Sequence, residues 1–401
     1  MNTQGLSKER LGRMTDVMSG YVDQGKVPGI VTLVGRHDDV HVEAVGVQDL
    51  ETRVPMRRDT IFRVASMTKP VTAVAAMMLV EETKLKLDEP IDKWMPELAD
   101  RKVLRSLDGP IDDTVPANRP ITLRDLLTLR AGFGLIMAPP GKYPIQKVID
   151  EQGFAPGPGQ SNRTAGEWMS RLGDLPLLHQ PGEQWMYHTG SDILGVLVAR
   201  AAGKSLGEFM KERIFDPLGM KDTAFSVPED KLDRLSTSYM ADQETDKLKV
   251  YDTARGGQWS RPAIFEAGGG GLTSTAGDFL AFGRMMVNYG RLGSERLLAR
   301  PTAELMMTDQ ITPEQKASSP FFPGFWDTSG WGFGASVCTR RDVIGPSVGS
   351  FAWTGGLGTA WCADPHEGTV TVFLTQRMMA GADDAAINQD FFTLAYQAIE
   401  D

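Results

Sequence analysis

A serine and a lysine stand three residues apart in the segment Ser66-Met67-Thr68-Lys69. On a helix, residues at this spacing share a face, so the amine can lie beside the hydroxyl. A serine hydroxyl is a poor nucleophile until a base takes its proton, and a desolvated lysine with a lowered pKa can be that base. The spacing by itself is a weak signal, because an N-cap serine followed by a solvated lysine has the same letters. Its meaning depends on the elements that surround it.

The residues after this pair predict a buried helix. They form an apolar stretch from Val71 to Val80, and Pro70 falls in the first turn, where a missing N–H costs little. The N-terminus of a helix also offers N–H groups and a partial positive charge to a developing oxyanion. Before the pair, Gly29 to Gly46 predicts a two-stranded hairpin, and the apolar spacing over residues 7–24 predicts a further helix.

The order of strand and helix patterns indicates an α+β fold. Short helices with Pro/Gly-rich connections extend from about residue 88 to 251, and the last part of the chain is rich in strands before a closing helix near 385–399. Strands at both chain ends predict one mostly antiparallel sheet that is flanked by helices, with a mostly helical domain inserted.

This pattern predicts two domains. Residues 1–100 and 265–401 would form one discontinuous α/β body, and residues 101–264 would form the mostly helical domain. We expect the functional site in the cleft that joins them. The stretch 139–161 is predicted to be irregular, and a long irregular segment is typical of a functional loop or of a cover over a site.

Composition argues against several kinds of partner. Lys and Arg number 42 against 52 for Asp and Glu, so the formal net charge is −10. Nucleic acids and anionic membranes need a dense cationic face, and we therefore expect neither as a partner. Cys338 and Cys362 make no disulfide framework and no metal-type spacing. The N-terminus lacks the apolar core of a secretory signal, and no run of about 18 apolar residues occurs, so a soluble cytoplasmic protein is expected.

A serine–lysine pair that opens a buried helix after an N-terminal hairpin is the placement found in penicillin-recognising serine enzymes. The chain resembles the class C β-lactamase-related serine hydrolases, and among them most resembles the family VIII carboxylesterases. The resemblance covers most of the chain in the family's order, and it implies a β-lactamase/transpeptidase-like fold. The stretches that carry it are PGIVTLVGR, IFRVASMTKPVTAVAAMMLVEE, ITLRDLLTLRAGF, PGEQWMYHTGSDILGVLVARAAG, GGGGLTSTAGDFLAFGRMM and FAWTGGLGTAWCADP.

The family's second motif is a tyrosine on a loop of the helical domain, written Y-x-N. Tyr187-His188-Thr189 follows PGEQWM at this position, with threonine where asparagine is expected. The resemblance implies that Tyr187 acts with Lys69 on the serine proton and that Thr189 contacts substrate. A tyrosine beside a lysine can hold its proton less tightly and can pass one to a leaving group. Which of the two is the primary base stays open, because their titrations would be coupled.

The third motif is K-T-G or H-T-G on a strand that lines the site. Here it is Trp353-Thr354-Gly355-Gly356, which resembles the W-G-G form of the family VIII esterases. The resemblance implies that the first three residues bind substrate and that the N–H groups of Ser66 and Gly356 form the oxyanion hole. A lysine at the first position would attract the carboxylate of a β-lactam, and an indole cannot. Neutral esters are therefore favoured over penicillins.

Two other motifs are predicted not to do chemistry. The sequence GPSVG at 345–349 matches the G-x-S-x-G elbow around Ser347, but that elbow needs a strand–turn–helix, and a strand-like segment follows. His37 and His41 have H-x-x-x-H spacing but fall in the hairpin, where strand geometry separates them by about 13 Å, too far for one metal ion.

An aromatic-rich stretch near the C-terminal third is expected to form core and part of an acyl pocket, with core alone as the alternative for each residue. Its members are Phe321, Phe322, Phe325, Trp326, Trp331 and Phe333.

These expectations describe a carboxylesterase. It would cleave esters of short neutral acyl groups through an acyl-enzyme on Ser66, without a metal or organic cofactor, and its partner would be a small-molecule ester; the oligomeric state is not predicted. Weak β-lactam hydrolysis as a side activity stays open. So do a β-lactamase or a D-amino-acid peptidase or amidase on the same scaffold, and a structural or ligand-sensing homologue. The last would be expected to have lost part of the Ser66–Lys69–Tyr187 set, which is intact here.

Overall fold

A seven-stranded sheet built from both ends of the chain lies at the centre of the protein. The computed structural model describes residues 5–242, 244–245, 247–381, 384 and 386–400. The strands of the sheet are, in chain order, β1 (Gly29–Arg36), β2 (Asp39–Gly46), β3 (Ser329–Trp331), β4 (Ser336–Cys338), β5 (Phe351–Gly355), β6 (Thr359–Asp364) and β7 (Thr369–Thr375). In space their order is β3-β4-β5-β6-β7-β1-β2, and every neighbouring pair is antiparallel. The predicted fold class is confirmed, and the hairpin predicted over 29–46 is the β1–β2 pair.

Helices surround this sheet. Within the described residues they are α1 (Lys8–Asp23), α2 (Thr68–Glu81), α3 (Leu123–Leu127), α4 (Pro144–Glu151), α5 (Ala165–Asp174), α6 (Thr189–Ala202), α7 (Leu206–Met210), α8 (Asp216–Leu218), α9 (Ala276–Val287), α10 (Arg300–Met306), α11 (Pro313–Ser318), α12 (Phe325–Thr328) and α13 (Ala386–Tyr396). The closing helix predicted near 385–399 is α13; Ala385 lies outside the described residues. None of the described helices has the length and apolar character needed to cross a membrane.

Both faces of the sheet are covered. On one face, α1 and α13 contribute Met14 and Phe391 to an apolar cluster with Phe373 of β7. On the other face, α9 packs on β1, β6 and β7 and contributes Phe282 to the larger core. Because neither face meets water, every residue of β1 and β7 is buried. An alternation of buried and exposed residues, which marks a strand with one face in water, is therefore missing from both strands.

Helix α2 is buried between the sheet and the helices that the middle of the chain forms. Every residue from Thr68 to Leu79 is buried, and α6 packs along it. A single turn of 3₁₀-helix, Ala65–Met67, leads into it without a break. The predicted buried helix is confirmed: it begins at Thr68, and Pro70 falls in its first turn as predicted. Lys69 therefore lies inside the buried helix, in its first turn.

The middle of the chain, predicted as a mostly helical domain over 101–264, contains α3 to α8 and two antiparallel strand pairs. These pairs are Lys102–Leu104 with Thr114–Pro116, and Ser238–Ala241 with Leu248–Asp252. Two further pairs lie outside it, Phe62–Arg63 with Thr273–Ser274 and Arg291–Leu292 with Glu295–Arg296. Since α6 packs directly on α2, the two regions share one core, and their division into domains stays a prediction.

The prediction of an irregular stretch over 139–161 is wrong for its centre, where α4 forms. Pro144 occupies the first turn of α4, where its missing N–H leaves no bond unmade. Ile145 and Ile149, four residues apart, bury the same side of the helix. The part after α4, residues 152–164, contains no helix or strand, and it reaches the site described next.

Candidate active site

Ser66 lies in the tight turn that joins a short strand to α2. Val64, just before this turn, donates its N–H to the carbonyl of Leu272 at 3.0 Å and accepts the Thr359 hydroxyl at 3.1 Å. Ala65 has a φ of 45°, in the left-handed region that costs a residue with a side chain some strain. The turn is therefore held from two sides in a conformation it would not adopt alone. It leaves Ser66 at the floor of a cavity, 9% exposed.

Lys69 reaches the serine from the next turn of the helix. Its Nζ lies 3.0 Å from Ser66 Oγ, 2.6 Å from the carbonyl oxygen of Gly269 and 3.2 Å from His188 Nδ1. The side chain is completely buried. Burial lowers the pKa of Lys69 to about 7, although the charge of Asp192 acts in the opposite direction. Near neutral pH a large fraction of the amine is uncharged and can accept the serine proton.

Tyr187 lies on the other side of the serine. Its hydroxyl accepts the Trp353 Nε1–H at 2.7 Å and is hydrogen-bonded to Ser66. The centroid of its ring lies 4.6 Å from Lys69 Nζ, so the amine is also in contact with the phenol ring. Burial raises the pKa of Tyr187 to about 12, although both hydrogen bonds favour the phenolate. The phenol therefore keeps its proton at neutral pH and can donate it.

Sequence reasoning missed two residues at this site, His188 and Asp192. His188 Nε2 lies 3.0 Å from Asp192 Oδ2, and Asp192 Oδ1 accepts the N–H of Gly269 at 2.7 Å. Burial and the charge of Lys69 lower the pKa of His188, which keeps the ring neutral. Burial alone would raise the pKa of Asp192, but His188, Lys69 and the Gly269 N–H together hold it below its usual value.

A signal for this pair was present in the sequence. His188 is the middle residue of the Tyr187 motif, and Asp192 follows four residues later, the spacing of neighbours on one helix face. His188 has φ 86° and ψ −69°, a strained backbone that turns its ring toward Lys69 just before α6 begins.

The end of β5 is pressed against the turn that carries Ser66. A side chain added at Gly355 would collide with the carbonyl of Val64, so only glycine permits this approach. Gly356, the next residue, lines the same cavity as Ser66. Within the described residues no acceptor is found for the N–H of either Ser66 or Gly356. Both groups are therefore free to bind an oxyanion.

The other predicted substrate-binding residues are only partly brought together. Trp353 and Thr354 line the cavity around Ser66. Thr189 does not: it is buried in the first turn of α6 and lines a neighbouring cavity. Gly355 packs on the backbone and does not face the cavity. The indole N–H of Trp353 is already used by Tyr187, so Trp353 offers substrate an apolar face and no donor.

The cavity around Ser66 has a volume of about 770 Å³ and a largely aromatic and apolar wall. Of the aromatic stretch identified in the sequence, Phe321, Phe322 and Phe325 line it. Trp331 and Phe333 are completely buried in the core. The rim carries residues 156–158 from the irregular segment after α4. On the far side of His188, a second cavity of about 460 Å³ is lined by residues 153–163 and by Asp192.

The two motifs set aside in the sequence lie elsewhere. Ser347 is buried in the β4–β5 connection, its hydroxyl donates to Glu367 at 3.2 Å, and a strand follows it. His41 lies on β2 near Glu43, 3.8 Å away. In the part of the chain that the structure describes, no three His, Cys, Asp or Glu side chains are grouped to hold a metal ion.

Comparison with known proteins places this chain in a family. Residues 14–391 match the model of the beta-lactamase family, and the chain therefore belongs to that family. Protein Rv1367c of Mycobacterium tuberculosis is 40% identical over 91% of this chain and 89% of its own. The lovastatin esterase of Penicillium rubens is 31% identical over 88% of this chain and 89% of its own.

Solved structures lead to the same class. EstCE1, described as a hydrolase with promiscuous acyltransferase activity, superimposes with a TM-score of 0.80 at 25% identity and covers 97% of this chain and 99% of its own. The predicted resemblance to β-lactamase-related enzymes is thus confirmed, and relatives named as esterases support a serine hydrolase. The roles of the individual site residues stay predictions.

The geometry predicts that Ser66 is the nucleophile and Ser347 is not. Ser66→Ala should abolish covalent labelling by a p-nitrophenyl phosphonate, because the only serine shown beside Lys69 among the described residues is then lost. Ser347→Ala, the matched control, should be labelled like the native protein. Intact-mass spectrometry measures the labelling of both variants. Labelling that survives in Ser66→Ala and disappears in Ser347→Ala would reverse the assignment.

Proposed function

We propose that this protein is a carboxylesterase of the family VIII type, a serine hydrolase that works through an acyl-enzyme on Ser66. The observation that carries the proposal is the 3.0 Å contact between Ser66 Oγ and a completely buried Lys69 amine. A cytoplasmic location, expected from the sequence, is part of this proposal. The intact Ser66–Lys69–Tyr187 set argues against a homologue that has kept only the fold.

In the first half of the reaction, Ser66 attacks the ester carbonyl while Lys69 takes its proton. The N–H groups of Ser66 and Gly356 receive the oxyanion. Tyr187, which keeps its proton because its pKa is raised, donates it to the departing alkoxide, and the ammonium of Lys69 then restores the proton of the phenol. The products are an alcohol and an acyl group on Ser66, with Lys69 neutral again.

In the second half, water replaces the alcohol. Lys69 takes a proton from the water, the resulting hydroxide attacks the acyl carbonyl, and Ser66 leaves with the proton that Lys69 returns. An alcohol that enters the apolar cavity in place of water would give acyl transfer by the same steps. This second candidate is supported by the aromatic wall, which disfavours free water, and by the acyltransferase activity ascribed to EstCE1.

The cavity supports a neutral ester as substrate. We propose a short acyl group and a larger apolar alcohol part, because about 770 Å³ exceeds what a short acyl chain fills. Arg340 lines the cavity but is paired with Asp342 at 3.5 Å. Trp353 stands where a lysine would bind a carboxylate, so β-lactams and acidic peptides would be poorer substrates.

Lys69 and Tyr187 are predicted to act as one unit. Lys69→Ala and Tyr187→Phe should each lower kcat/KM for p-nitrophenyl butyrate by at least ~100-fold, because each breaks the same proton path. The kcat/KM of the double variant should be only slightly lower than that of the less active single variant. Losses that multiply in the double variant would mean two independent roles and would contradict the shared path.

Trp353 is predicted to select against carboxylate-bearing substrates. Trp353→Lys should raise the ratio of kcat/KM for nitrocefin to kcat/KM for p-nitrophenyl butyrate by about 10-fold, the scale of one charge-assisted hydrogen bond. Trp353→Phe is the control: it also loses the N–H to Tyr187 but adds no charge, so it should lower both activities and leave their ratio unchanged. Native preference for nitrocefin, or equal ratios in the two variants, would refute selection by charge.

A further inference from the structure

His188 and Asp192 form a buried chain that ends on the catalytic amine. Their side chains are 14% and 9% exposed, and the proposed proton path does not include either. Asp192 contacts two groups at once: it accepts the N–H of Gly269 through Oδ1 and faces His188 Nε2 through Oδ2. The Gly269 carbonyl and His188 Nδ1 are in turn two of the three polar partners that Lys69 Nζ has among the described residues.

The carboxylate determines which nitrogen of His188 carries the proton. An ionised carboxylate only accepts hydrogen bonds, so Nε2, 3.0 Å from Asp192 Oδ2, must be the N–H of a neutral ring. Nδ1 is then a lone pair, and it faces Lys69 Nζ at 3.2 Å. Like the carbonyl oxygen of Gly269, it can only accept from the amine.

A neutral amine has two N–H bonds and one lone pair. Two of the partners of Lys69, His188 Nδ1 and the Gly269 carbonyl, accept the two N–H bonds. The lone pair is left for the third partner, the hydroxyl of Ser66 at 3.0 Å. We infer that His188 and Asp192 are positioning residues that aim the lone pair of neutral Lys69 at the serine hydroxyl. This inference rests on the proposed function, in which Lys69 is the base.

Asp192 is also the anion that faces the amine once it has taken the proton. The other titratable groups that face Lys69 in the described residues are His188 and Tyr187. The segment 267–271 and strand β5 contribute no ionisable side chain. Removing the Asp192 charge would therefore make the ammonium less stable and lower the pKa of Lys69. Lys69 acts as a base only in its neutral form, so kcat/KM falls at low pH as the amine is protonated. With a lower pKa of Lys69, this acid limb of the pH profile would move to lower pH.

Substitutions at His188 distinguish its role as a hydrogen-bond acceptor for the Lys69 amine from a role in packing alone. The Oδ1 of His188→Asn can take the place of Nδ1 as acceptor, and asparagine tolerates the positive φ. The amide of His188→Gln can reach Asp192 but leaves Lys69 without this partner. We expect His188→Asn to keep kcat/KM for p-nitrophenyl butyrate within about 10-fold of native, and His188→Gln and His188→Ala to lose at least ~100-fold. Full activity in His188→Ala would overturn the inference.

Asp192→Asn tests the tautomer. The amide of the new asparagine can donate a hydrogen bond to His188 Nε2, which would move the ring proton to Nδ1. The Nδ1–H would then donate to the lone pair of Lys69, which is the lone pair that the serine hydroxyl needs. The plateau of kcat/KM should fall at least ~100-fold, and the acid limb should move about one pH unit lower. If the plateau of kcat/KM falls but the acid limb stays at the same pH, Asp192 has only a structural role and the inference is overturned.

The direct readout uses the ¹⁵N spectrum of histidine-labelled protein, which contains five histidines. The signals of His188 are assigned as those missing from His188→Asn. We expect the Nε2–H tautomer in the native protein and its loss in Asp192→Asn; an Nδ1–H or doubly protonated native ring at pH 8 would overturn the inference. The Nε2–H tautomer in a native protein that hydrolyses no ester would instead refute the proposed function and leave the positioning arrangement standing.

Discussion

The burial of the Lys69 amine is the constraint on which the rest of the site depends. A lysine in water is an ammonium and cannot take a proton from serine at neutral pH. The lowering of its pKa from 10.5 to about 7 corresponds to about 5 kcal/mol in favour of the neutral form. That lowering requires a place without water, and the fold supplies it: α2 is buried along its length between the sheet and α6.

A buried amine must also find partners for its polar hydrogens, or it destabilises the protein. Among the described residues, the three polar partners of Lys69 come from three parts of the chain: Ser66 from the turn before α2, His188 from just before α6, and the Gly269 carbonyl from the segment before α9. Asp192 binds two of these partners together. The same contacts that make burial tolerable also orient the amine, so stability and chemistry here have a common origin.

Much of this could be predicted from the sequence because it depends on local patterns. The apolar run after Ser66 and Lys69 predicted a buried helix, and strands at both chain ends predicted the shared sheet. The contact of His188 with Lys69 could not be predicted in the same way, since it depends on a strained backbone and on packing between residues 119 positions apart. Helix α4 was missed because it is short and lies among prolines and glycines, and its burial of Ile145 and Ile149 depends on tertiary packing.

The most direct test of the account is the pKa of Lys69 itself. Protein labelled with ¹³C at the lysine ε-carbons can be titrated by NMR, with the signal of Lys69 assigned by its absence from Lys69→Ala. The account predicts a titration near pH 7, the value that burial imposes on this amine. A Lys69 signal that titrates near the ordinary lysine value, about 10.4, would contradict it, because the amine would then be an ammonium at neutral pH and could not activate Ser66.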